Sequence, residues 1–139
     1  MPAKTAALLV RANAIGFALF ALVWVGAAFP GADGGARFLL DLLQWPLDGI
    51  PGSPDQNTRW LSAIGAGLTA AIAAMTFLIV APGVERGEAG VKNGALIAMT
   101  TWFVVDGAGS IASGVASNAA FNAAFYVLYV APLLLARRN

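Results

Sequence analysis

Asp106 is the one acidic residue set deep within a long apolar stretch, and Ser110 and Ser113 follow it at i+4 and i+7. On a helix those three side chains share a face. Asn118 and Asn122, also four apart, share a face of the helix that follows, and Arg59 opens an earlier apolar segment. A carboxylate, a guanidinium, two hydroxyls and two amides brought together could form a ligand or ion site. They could also form a carboxylate that takes up and releases protons during transport, because ionisable groups inside a membrane are functional by default. Alternatively, an Asp106–Arg59 ion pair with serine and asparagine hydrogen bonds would hold three helices in register, as polar groups between membrane helices do.

Most other chemistry is excluded by what the chain lacks. Its 139 residues contain no histidine and no cysteine. That removes the usual haem, iron–sulfur and catalytic zinc ligands, together with Ser-His and Cys-His nucleophile pairs. No cofactor, metal site or enzymatic activity is expected. Net charge is +1 and no large Lys/Arg cluster exists, so nothing tracks a phosphate backbone and nucleic acid is not a partner.

The elements that must position the cluster are read from hydropathy. Hydrophobic residues make up 59% and charged residues 11%, against roughly a quarter charged in soluble domains. About 20 mostly apolar residues cross a bilayer, and four segments qualify: residues 5–29, 54–81, 91–114 and 118–136. Each must be helical, because lipid offers no partner to the backbone. The expected fold is all-α: an antiparallel, up-down bundle of four transmembrane helices forming one integral membrane domain over residues 1–139. Lys4 and Arg11 ahead of the first apolar run give it the look of a signal peptide, but no convincing A-x-A site follows, so it is expected to stay as a span.

Local signals set the ends. Ser53, Pro54 and Gln56 read as N-cap, first position and capping box of the second span, and Pro82-Gly83 as its stop. Small residues at four-residue spacing (Ser62, Ala66 and Ala70, or Ala63, Gly67 and Ala71; Gly94 and Ala98; Gly109 and Ser113) are expected to let helices approach closely. Trp24, Trp45 and Trp60 read as interfacial anchors. Trp102 reads as bundle packing, and Arg11 as snorkelling to lipid headgroups. Pro132 leaves a carbonyl near Leu128 without its intrahelical donor.

Between the first two spans, residues 36–45 place Arg37, Asp41 and Gln44 at i, i+4 and i+7 with apolar residues elsewhere. This predicts a short amphipathic interfacial helix. Phe38, Leu42 and Trp45 are its candidate lid or docking residues. Basic residues count Lys4, Arg86, Lys92, Arg137 and Arg138 on one side against Arg37 and Arg59 on the other. The positive-inside rule then puts both termini in the cytoplasm.

T-R-W at residues 58–60, W-F-V-V-D-x-x-x-S at 102–110, N-x-x-x-N at 118–122 and P-L-L at 132–134 carry a resemblance. The chain resembles small bacterial four-helix inner-membrane proteins, broadly DoxX-like, over roughly residues 58–134. The resemblance implies a bacterial inner-membrane bundle and supplies no reaction.

The expected function is a non-enzymatic membrane protein whose polar pocket binds a lipid or small amphiphile, or docks a partner subunit. The alternative is a small transporter or channel with Asp106 as coupling carboxylate. Four short helices leave little room for a path through one copy, so that alternative requires a homo-oligomer.

Overall fold

The structure is a computed structural model and describes residues 1–49 and 52–137. Arg138, counted in the charge asymmetry, lies outside the described residues. No strand occurs among them. The chain is a bundle with four stretches long and apolar enough to cross a membrane: Ala3–Ala28, Gln56–Glu85, Ala89–Ala112 and Ala116–Leu135. The expected spans are met within a few residues. The first comprises α1 (Ala3–Val25) and a short 3-10 turn. A shorter helix, α2 (Gly34–Gln44), precedes the second span.

The second span is α3 (Gln56–Met75), a π-helical turn (Thr76–Val80) and α4 (Ala81–Glu85). Its start differs from the expected capping box. Asp55, not Ser53, is the N-cap, and its Oδ1 accepts from the Thr58 backbone N–H at 2.7 Å. Its end differs too, because Pro82 does not stop the helix. A proline ring clashes with the carbonyl four residues back and donates nothing. The wider π turn just before it displaces that carbonyl. The helix therefore runs on to a turn at Gly87, where φ is +75°.

Packing is inverted relative to a water-soluble protein. The interior of α1 is a stripe of Ala3, Ala6, Val10, Ala14 and Ala21, while Leu22 and Leu78 on the outside are 69% and 70% exposed. Apolar surface of that extent is stable only against lipid, and small residues inside let backbones close up when burial itself brings no gain. This is the surface of a multi-pass membrane protein. The small-residue expectation holds at Ser62 and Ala66, which are buried, and fails at Ala70, Gly67, Gly94, Ala98 and Gly109, which are exposed. A four-residue stripe does not reveal which side of a helix meets protein and which meets lipid.

α1 packs along α3 and α4 and also touches α6, and α5 pairs with α6 as an antiparallel hairpin. A compact apolar core including Val10, Val84, Leu133 and Tyr129 fills the half of the bundle nearest the chain ends. There the Met1 amine donates to the Leu135 carbonyl at 2.7 Å. Arg11 does not snorkel: its Nη2 donates to Glu85 Oε2 at 2.8 Å. A guanidinium part-way into a span gains more from a facing carboxylate than from a long reach to headgroups. In the other half, α3 stands away from α5 and α6, and α2 lies across the end of α1 and α6.

Candidate functional site

The hairpin between α5 (Ala89–Ala112) and α6 (Ala116–Leu135) builds the polar cluster. α5 ends in a Schellman turn. Gly114, at φ +83°, donates to the Ile111 carbonyl at 3.1 Å, and Val115 donates to the Ser110 carbonyl at 2.8 Å. The positive φ suits glycine alone. This tight reversal sets Asn118 and Asn122 opposite Asp106.

Asp106 Oδ1 is the focus. It accepts from Ser110 Oγ at 3.0 Å, Asn122 Nδ2 at 2.9 Å and Asn118 Nδ2 at 3.2 Å. Asn118 Nδ2 also donates to Ser110 Oγ at 2.7 Å, and Ser113 Oγ donates to the Ser110 carbonyl at 3.1 Å. One carboxylate oxygen thus collects three donors, and Oδ2 accepts from none of the described residues and is not sealed from the cavity.

Five of the six expected site residues therefore come together: Asp106, Ser110, Ser113, Asn118 and Asn122 all line one cavity of about 360 Å³. Arg59 does not join them. It forms no ion pair with Asp106 and is not among the residues that line the cavity; its charge is the least of the influences that lower the carboxyl of Asp55, the N-cap of α3. The reason is the divergence of α3 from α5, which carries the head of α3 away from the hairpin. The register role imagined for an Asp106–Arg59 pair falls with it.

The rest of the wall was only partly legible. Phe17, Phe20 and Trp24 of α1 form an aromatic side with Phe125 of α6. Phe20 meets Trp24 and Phe125 edge-on, each with centroids 5.7 Å apart. Trp24 thus forms a wall of the cavity, and Trp102 lines it as well as packing on the core. Thr69 and Ile72 face it from α3 and Met99 from α5. Below them, Thr76 and Tyr129 share a buried hydroxyl contact of 3.0 Å. The cavity ends on the apolar core.

The roof is α2, but with a different face from the one expected. Leu40, Leu43 and Gln44 line the cavity, while Phe38 and Trp45 are 57% and 58% exposed. Phe38 and Trp45, expected as lid or docking residues, thus do not form the inner face of the lid. Against lipid they are stable outside. Ser117 fixes the arrangement, its Oγ donating to the Leu43 carbonyl at 2.6 Å.

No group of three or more His, Cys, Asp or Glu side chains capable of holding a metal ion occurs among the described residues. The chain matches no protein-family model, no curated protein and no solved structure. What the arrangement can do is therefore argued from its chemistry. A single carboxylate lies in a mostly apolar, aromatic-walled chamber at the edge of a membrane-spanning bundle. It has one oxygen held by three donors and the other free.

Proposed function

We propose that this protein is a non-enzymatic membrane binding protein that holds a lipid or small amphiphile in the cavity beside Asp106, with α2 as its roof. One observation carries the reading: a roofed cavity that combines an aromatic wall with a single polar corner. Ligand sites are concave and mainly apolar with a few convergent polar groups, and span roughly 300–1,000 Å³. The tail of an amphiphile would lie along Phe17, Phe125 and Ile72, and its head would reach Asp106.

The setting belongs to the same proposal. The Lys/Arg asymmetry favours a cytoplasmic placement of both termini, and the DoxX-like resemblance favours a bacterial inner membrane. The cavity would then sit in the periplasmic half of the bilayer. Because the chain has no cysteine, a single Arg86→Cys variant tests the orientation: labelling by an impermeant maleimide only after cell lysis is expected, and labelling of intact cells overturns it.

Binding is favoured over conduction because the cavity is blind. The core around Val10, Leu133 and Tyr129 closes it below, so transport would need an oligomeric path that no feature of the single chain supports.

The binding test is native mass spectrometry of the chain released from mild detergent. Wild-type protein is expected to retain a small amphiphile. A Thr69→Phe variant, which fills the cavity from α3, should fold and retain none. Equal retention by both variants, or retention by neither even with added amphiphile, rejects the reading.

A further inference from the structure

Taken as an amphiphile site, the cavity also has a charge preference, and this inference rests on that reading. Asp106 is the one charged residue among the cavity's lining side chains. Arg59 is not among the residues that line it, and the ion pairs Arg11–Glu85 and Arg86–Glu88 lie at the opposite end of the bundle. The Asp106 carboxylate therefore has neutral hydrogen-bond donors and, among the described residues, no counter-cation in ion-pair contact. An ionised group inside a membrane is stable when a compensating charge arrives with it.

The walls are suited to that charge. Phe17, Phe20, Trp24, Trp102 and Phe125 surround the same space. Aromatic faces attract cations, and tryptophan most strongly, an effect that grows once water is excluded. An anionic head would meet Asp106 with no basic group among the lining residues to offset it. A purely neutral head would leave the charge unanswered.

Access is lateral. α1, α2 and α6 are joined by direct contacts, and α5 is joined to α6, but α3 stands away from α5 above the π turn. Thr69 and Ile72 form one side of that gap and Met99, Trp102 and Asp106 the other. A single-chain amphiphile could slide in from the bilayer with its head at the level of Asp106.

We infer that the cavity binds a cationic amphiphile, an alkylammonium whose head pairs with Asp106 Oδ2 between Trp24 and Trp102 and whose chain enters from the bilayer between α3 and α5.

The test compares three amphiphiles of one chain length on the full chain in dodecyl maltoside micelles: dodecyltrimethylammonium, 1-dodecanol and dodecanoate. Tryptophan fluorescence reads binding at matched mole fractions. The cation is expected to bind about tenfold more tightly than the alcohol, the change one exposed-to-buried charge contact of about 1.4 kcal/mol gives. Asp106→Asn keeps an acceptor for the Asn122 amide and should bring the cation to within about twofold of the alcohol. If the variant does not fold, the ranking on wild-type protein decides alone. An alcohol that binds as well as the cation, or a dodecanoate that binds best, overturns the charge assignment and leaves the amphiphile site standing. Failure of all three to bind rejects both.

Discussion

The indole of Trp24 packs against the bare backbone of Gly65, so close that a Cβ on Gly65 would overlap three of its ring atoms. The missing methyl on α3 is what lets an α1 tryptophan serve as a cavity wall. Gly65→Ala is therefore expected to push the ring toward the cavity and destabilise the protein by about 1–3 kcal/mol, the usual result of over-packing. Gly67→Ala, two residues on and with open space around its Cα, should be neutral or stabilising by about 0.5–1 kcal/mol through helix propensity. Thermal unfolding of the two variants measures the contrast, and a shifted tryptophan emission in the first alone ties it to Trp24.

Asn13 answers a defect made by Pro132. The proline has no N–H to give the Leu128 carbonyl, and Asn13 Nδ2 donates to that carbonyl at 2.9 Å from across the α1–α6 seam. Asn13→Ala should cost about 0.6–1.7 kcal/mol, the range measured for hydrogen bonds between membrane helices. Pro132→Ala restores the intrahelical donor, so the loss should shrink in the double variant. A double-mutant cycle reads the coupling, and strict additivity would show that the two residues act separately.

Gly114 holds the hairpin that faces the asparagines toward Asp106. At φ +83° a side chain is strained by about 1–2 kcal/mol. Gly114→Ala should lower stability by that amount and, by loosening the reversal, weaken amphiphile binding as well. Retained binding with unchanged melting would mean that the turn does not position the site.

Asp55 precedes the second span and gives the fold a pH dependence of known sign. The Thr58 backbone N–H, then the Thr58 side chain and the charge of Arg59, hold its carboxyl below its ordinary value of 3.8. A group whose folded value is lowered stabilises fully above its unfolded value, and its contribution fades as pH falls through the folded one. The melting difference between wild type and Asp55→Asn should therefore be present at neutral pH and vanish in acid below 3.8. A difference constant over that range would mean that charge is not its source.

The four spans were legible in the sequence because lipid leaves the backbone no alternative to long apolar helices. The polar cluster was legible because i+4 spacing puts Asp106 over Ser110, and Asn118 over Asn122, whatever surrounds them. The neighbours of the cluster were not. Arg59 opens α3 from the end of the bundle that holds the cluster, but the splay of α3 from α5 is a tertiary fact with no local signature. Nor did the sequence show which face of α2 meets the cavity: Leu40 and Leu43 line it, while Phe38 and Trp45 stay exposed, as large apolar residues can where lipid is the solvent. The alanine stripe of α1 was hidden by the apolar residues on its other faces. Pro82 reads as a stop until a π turn, which has no sequence signal, makes room for its ring.

The space beside Asp106 is proposed as the place where an amphiphile rests. Crystals of the protein grown with a dodecyltrimethylammonium brominated along its chain would locate that molecule by anomalous scattering. A bromine peak among Phe17, Ile72 and Phe125, with the head at Asp106, is the expected result. Peaks confined to the outer, lipid-facing surface, over a cavity holding only protein side chains, would contradict it.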